Sequence, residues 1–301
     1  MPRLNALRKT LRFIYRHPLN AQNRLGALGR FVKWQIGTRL NPRPVVYQFT
    51  ERSKLLLERG VTGATGNLYC GLMEYRDMGF LLHFLRPEDR FLDVGANVGV
   101  YTVLAAGEIG AGTVCVEPVP NTYERLQKNM RLNELDDRVS ALQIGLGSEP
   151  GTLRMTVGLD TQNHIATEAE VREGKAVEVP VRTLDTVVSD RCPVLIKIDV
   201  EGFETEVLRG GPKTLADPTL RGIIIELNGA GNRYGYDEAA IHQNLLDGGF
   251  RPFSYDPIAR TLEPLDTYGT HNTIYLRDLP FVRERLRTAR VVTIGKQRFT
   301  L

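Results

Sequence analysis

Three short runs carry the side chains that could do chemistry. The first is Asp93-Val94-Gly95-Ala96-Asn97-Val98-Gly99, two glycines four residues apart behind a carboxylate. Such glycines allow a tight turn and close backbone approach to a ligand, and a helix after the turn offers free amides. A dinucleotide-binding loop would read G-x-G-x-x-G, and the middle glycine is missing here. Asp93 also repels a phosphate, whereas it suits a cationic ligand. The second run is Glu117-Pro118, beginning 18 residues after Gly99. A carboxylate at that point can accept two hydrogen bonds from a ribose diol. Taken singly, the first has the alternative of a plain turn and the second that of an exposed strand-end acid, each the weaker reading. Together they describe a site for a nucleoside that carries positive charge and no phosphate.

The third run is Ile196-Lys197-Ile198-Asp199-Val200-Glu201-Gly202-Phe203-Glu204. Strand side chains alternate, so Lys197 and Asp199 share a face. A buried ammonium needs a partner, and Glu226 on the following strand is the expected one. Asp199, at the strand's end, is the first candidate for a base or substrate-orienting group. Glu201 is the second. Glu204 reads as a solvated acid favoured by the helix dipole. Asp199, Glu226 and Asn228 also offer oxygen ligands to a divalent metal acting as a Lewis acid, and the sequence leaves the metal open. His164, in the polar loop Gln162-Asn163-His164, is a candidate base near neutrality or an exposed loop histidine. His17 and His83 read as structural, and Phe31, Trp34 and Tyr47 as packing.

These residues need strand ends and helix starts to hold them. Strands are expected at 90–94, 113–117, 139–144, 151–157, 176–182, 194–199, 222–227, 250–255 and 273–277. Helices are expected at 74–85, 99–109, 121–133, 203–209 and 237–248. Alternation of this kind implies a mostly parallel sheet covered on both faces, with ligands at the carboxyl ends of its strands.

The chain has 301 residues, 42% hydrophobic and 25% charged, enough for a sizeable core and unlike a disordered or fibrous protein. No apolar run is long enough to span a bilayer. The three cysteines show no metal-ligand or disulfide spacing, and no secretory leader is evident, so a cytoplasmic location is expected. The net charge of +4 hides an asymmetry: residues 1–50 hold ten Lys or Arg and no Asp or Glu. Leu4, Leu7, Leu11 and Ile14 fall on one helical face there, with Arg8, Lys9, Arg12 and Arg16 largely off it. That face either packs on the body or docks peripherally on an anionic membrane. The basic residues alternate with aliphatics rather than exposed aromatics, which argues against nucleic acid as a partner.

The three runs together resemble the FkbM family of S-adenosylmethionine-dependent methyltransferases, over about Asn67 to Leu276. The D-V-G-A-N-x-G turn is shared with other methyltransferases, and K-I-D-V-E-G-x-E is more particular to this family. The resemblance implies an α/β class I methyltransferase fold, a Rossmann-like seven-stranded sheet with helices on both faces and an antiparallel last strand at Asn272–Leu276. It implies three regions: a basic helical extension and linker at 1–66, the methyltransferase domain at 67–280 and a tail at 281–301. It implies S-adenosyl-L-methionine as cofactor. Gly95 and Gly99 would face its methionine part, and Asp93 and Asn97 would fix the turn or the amine. Glu117 would hold the ribose, and the adenine would lie near Gly145 and Leu146. Asp199 would stand where the methyl points. The implied reaction is O-methylation of a sugar, glycolipid or secondary-metabolite hydroxyl. A nicotinamide-dependent oxidoreductase and a non-catalytic membrane-docking protein are the competing readings.

Overall fold

The computed structural model describes residues 2–159, 163–188, 191–269, 271–295 and 299–300. At its centre is an eight-stranded sheet. Its strands are β1 (Arg90–Val94), β2 (Gly112–Val116), β3 (Val139–Leu142), β4 (Leu195–Ile198), β5 (Gly222–Glu226), β6 (Arg251–Asp256), β7 (Thr261–Pro264) and β8 (Asn272–Leu276). Their order is β7-β6-β8-β5-β4-β1-β2-β3. The run β3-β2-β1-β4-β5 is parallel, and β8 is antiparallel to both β5 and β6. The central strands are buried on both faces, as a sheet covered by helices requires, and apolar but for Asp93 and Lys197: β4 is buried throughout, and β1 from Phe91 onward.

The sheet has one strand more than expected. β7 pairs antiparallel with β6 at the edge. Its Thr-Leu-Glu-Pro sequence is largely exposed and shows no two-sided apolar run. A short edge strand with a charge and a proline resists further pairing and leaves little pattern to read. The expected strands at 151–157 and 176–182 lie outside the main sheet. Gly151–Thr156 and Ala176–Arg182 pair with each other, and Gly145–Leu146 joins them in a separate three-stranded sheet.

Four helices precede the sheet, and the first two are α1 (Pro2–Arg16) and α2 (Arg24–Leu40). On α1, Ile14 is fully buried and Leu11 packs on the core, while Leu7 is exposed. Asn20 donates to the Ile14 carbonyl at 2.9 Å and fixes the end of α1. On α2, Ala27, Phe31 and Trp34 are buried, and Arg30 donates to the Leu68 and Tyr69 carbonyls. The hairpin Val45–Gln48/Lys54–Leu57 follows. Its Leu56 amide donates to Asn129 on the helix Pro120–Leu132 at 2.7 Å. A third labelled helix, α3 (Tyr75–Phe84), lies across from the helix Leu279–Arg287. That last helix crosses residues 280 and 281, and its Arg285 is paired with Asp89.

Candidate functional site

The turns after β1, β2 and β4, with Glu226 at the end of β5, open on one cavity of about 270 Å³. After β1, Gly95 has φ +76°, and a Cβ built on it would lie 1.8 Å from the Asp199 carbonyl oxygen. Only glycine lets the turn pass this close to the end of β4. Asn97 follows at φ +51°, a left-handed conformation that asparagine tolerates, and its side chain accepts from the Val98 amide. Gly99, expected to face the ligand, does not line the cavity. A Cβ there would meet Leu126, so its small size serves helix packing.

Glu117 is buried beyond the end of β2. One of its oxygens accepts from the Asn97 amide at 3.0 Å and the other from the Val119 amide at 2.9 Å. Burial pushes its carboxyl up to about 7 against those two amides, and Asp93 and Asp199 push the same way. Each oxygen keeps a lone pair for a further donor. Asp93 accepts from the Thr102 hydroxyl at 2.7 Å, and burial raises it to about 6 despite the Lys197 ammonium.

At the end of β4 the structure corrects the expected pairing. Lys197 is buried and its ammonium lies 2.8 Å from Asp199, two residues along on the same face, rather than on Glu226. Burial lowers the Lys197 pKa, but Asp199, Glu74 and Asp93 outweigh it and the net shift is upward. The Lys197 nitrogen also sits 4.8 Å from the centre of the Tyr101 ring, and the Tyr101 hydroxyl donates to Glu74 at 2.7 Å.

The turn that follows explains the Asp-Val-Glu-Gly order. Glu201 takes φ +54°, and Gly202 takes φ +101° with the Ala230 backbone 2.6 Å from where a Cβ would be. This brings Glu201 beside Asp199 and Glu226, with one oxygen from each within 4.8 Å of the others. Three such oxygens could hold a hard divalent cation. Asn228, counted with that group from sequence, instead accepts from the Ala230 amide at 2.9 Å and caps the turn. Burial raises Glu201 to about 7 and Glu226 to about 8, with Asp199 adding repulsion in both cases. Glu204 is not a solvated acid. It is buried, accepts from the Val200 and Gly202 amides, and burial raises it to about 7.

Asp93, Gly95, Asn97, Glu117, Asp199 and Glu201 therefore meet at one cavity. Gly145 and Leu146 do not line it; they are buried where they pair with Val181 and Arg182. His164 does not line it either. Its ring faces Glu170 at 3.4 Å, and its neighbour Asn163, with Met155, reaches the cavity instead. Gln162 lies outside the described residues. The sequence reading missed Tyr101, Glu74, Met73 and Thr62, which all line the cavity. They sit on helices and turns where no spacing distinguishes them. Among the described residues, six carboxyl groups and one ammonium line the cavity, and that ammonium is bound to Asp199. Such a wall disfavours a pyrophosphate and favours a cationic ligand with a diol.

Comparisons with known proteins place the chain among methyltransferases. Residues 93–252 match the family model described as the methyltransferase FkbM domain. The chain is 32% identical to methyltransferase sdnD of Sordaria araneosa over 158 residues, covering 41% of this chain and 61% of that protein. It is 26% identical over 159 residues to the hexuronic acid methyltransferase AglP of Haloferax volcanii, covering 49% of this chain and 59% of that one. It is 29% identical over 214 residues to the 31-O-demethyl-FK506 methyltransferase FkbM of Streptomyces tacrolimicus, covering 58% of this chain and 81% of that protein. The chain thus spans about three fifths of the length of the first two relatives. With its three signature runs gathered at one cavity and the family model matching just over half of its length, the chain belongs to the FkbM methyltransferase family.

Proposed function

We propose that this protein transfers a methyl group from S-adenosyl-L-methionine to a hydroxyl oxygen of a sugar, glycolipid or secondary metabolite. The observation that carries the reading is the Glu117 carboxylate, held by two backbone amides with lone pairs left for a ribose diol, inside a cavity lined by carboxyl groups. Asp93 and Asn97 fix the turn that would face the amine end of the cofactor. The bound cofactor supplies an electrophilic methyl on a cationic sulfur. Asp199, anchored by Lys197, orients the acceptor hydroxyl, and Glu201 or Glu226 takes its proton. Carboxyls raised to about 7 and about 8 are well matched to proton removal near neutrality. The names of two relatives, one acting on hexuronic acid and one on a 31-O position, support an oxygen acceptor.

Titration calorimetry with S-adenosylhomocysteine and with NAD tests the cofactor. S-adenosylhomocysteine should bind and NAD should not; the reverse result sinks the reading. A labelled-methyl screen of glycolipid and metabolite fractions then identifies the acceptor.

One observation favours peripheral membrane contact as a second feature, with the enzyme working at the cytoplasmic surface. The face concerned is on α2 rather than α1. Leu25, Val32, Ile36 and Leu40 form an exposed stripe, continued by Val45 and Val46 and flanked by exposed Arg24, Lys33, Arg39 and Arg43. Apolar residues beside cations suit an anionic lipid surface. The full chain should pellet with phosphatidylserine vesicles and Ile36→Asp should not; equal pelleting of the two ends this idea.

A further inference from the structure

A second cavity, of about 960 Å³, adjoins the first and shares Met73, Glu74 and Glu226 with it. Its far wall is α1. Lys9, Arg12 and Arg16, at helical spacing on one face, line it together with Phe13. This face is held in place: Ile14 behind it is fully buried, and the His17 ring contacts the Met73 carbonyl at 3.2 Å.

The charges in this groove are arranged unequally. Three of the four carboxyl groups are engaged, Glu74 by the Tyr101 hydroxyl, Asp77 by the Asn272 amide and Glu263 by Arg76, and the fourth, Glu226, is shared with the first cavity. Among the described residues no carboxylate pairs with Lys9, Arg12 or Arg16. A solvated helix face would also leave cations unpaired. Lys9, Arg12, Phe13 and Arg16 are exposed as on such a face, and they also wall a large groove that adjoins the reaction site. The groove therefore holds the cations of α1 and the carboxyl of Glu226 on one continuous surface.

Resting on the methyl-transfer reading, we infer that α1 forms part of the acceptor site, and that the acceptor carries an anionic group, a phosphate or a carboxylate, bound by Lys9, Arg12 and Arg16. The reacting hydroxyl lies at the Glu226 end. Guanidinium groups match both anions through paired N–H donors. Phe13 and Tyr75, also in the groove, add apolar surface for the body of the acceptor. The basic N-terminal helix thus selects the substrate as well as covering the core.

The test is calorimetry on the full chain saturated with S-adenosylhomocysteine. The probes are glucose 1-phosphate, glucuronate and the neutral methyl glucoside. At least one anionic sugar should bind tenfold or more tightly than the neutral one, and the stronger of the two identifies phosphate or carboxylate as the handle. Arg12→Glu with Arg16→Glu should abolish that preference and leave S-adenosylhomocysteine affinity unchanged. The milder pair Arg12→Gln and Arg16→Gln reads the same loss if the charge reversal disturbs folding. Equal binding of charged and neutral sugars, or a preference that survives both variants, overturns the inference. Failure of S-adenosylhomocysteine to bind while the anion preference persists overturns the methyl-transfer reading instead.

Discussion

The Lys197 ammonium and the Asp199 carboxylate lie 2.8 Å apart, the first buried within β4 and the second just past its carboxyl end. The pair ties the sheet interior to the reaction site. Asp199→Asn keeps an acceptor for Lys197 but removes its counter-charge, so it should cost up to about 3–5 kcal/mol of stability and retain S-adenosylhomocysteine binding while lowering turnover about 10²-fold. Lys197→Met should cost about 3–5 kcal/mol of stability, because it leaves a half-buried carboxylate beside Glu201 and Glu226 with no cation. Thermal unfolding and single-turnover rates separate the two effects. Undiminished turnover in Asp199→Asn would remove it from the reaction.

Glu117 does two things at once: it closes the β1 turn through Asn97 and presents oxygens to the cavity. Glu117→Ala should weaken S-adenosylhomocysteine binding by about tenfold to a hundredfold, corresponding to about 1.5–3 kcal/mol for hydrogen bonds to a charged group. Calorimetry reads this directly, and unchanged affinity would contradict the assigned role.

Gly95→Ala should be among the most damaging single changes in the chain. The added methyl would occupy the position of the Asp199 carbonyl, and the backbone is already at φ +76°. The strain alone is about 1–3 kcal/mol, before any shift of β4. An unchanged melting temperature would show that the turn can yield.

Burial holds Asp77, Glu117 and Glu204 up to about 7 and Asp93 to about 6, all above the ordinary carboxyl range. The folded state keeps protons that the unfolded chain releases. The stability from these groups is complete below about pH 4 and is lost as pH rises through 6 to 7. The melting temperature should therefore fall by roughly 5 °C or more between pH 5 and pH 8. A rise over that interval would contradict the burial of these carboxyls.

The oxygens of Asp199, Glu201 and Glu226 could hold a cation, but Lys197 already supplies positive charge at Asp199. Turnover should survive exhaustive chelation with less than a twofold loss, roughly 0.4 kcal/mol. A large loss restored by magnesium would assign the trio to a metal.

The boundaries of β1 and much of the helix–strand alternation were legible in the sequence, because apolar runs, prolines and glycines act over a few residues. The same local logic marked Asp93, Gly95, Asn97, Glu117 and Asp199 as one site: a strand end is where a polar side chain interrupts a buried run. Glu201 and Glu204 were harder, since one enters the site only through a left-handed backbone and the other is buried only because two amides face it.

Local pattern was enough to specify a parallel sheet with carboxylates at its strand ends around a glycine turn. That Lys197 meets Asp199 rather than Glu226, that Gly99 packs on Leu126, and that the cations of α1 line one groove with Glu226 came from the folded chain. The reason is range. Periodicity and turn preference are set by neighbours along the chain, whereas the partner of a buried charge and the orientation of a helix depend on what distant segments desolvate around them.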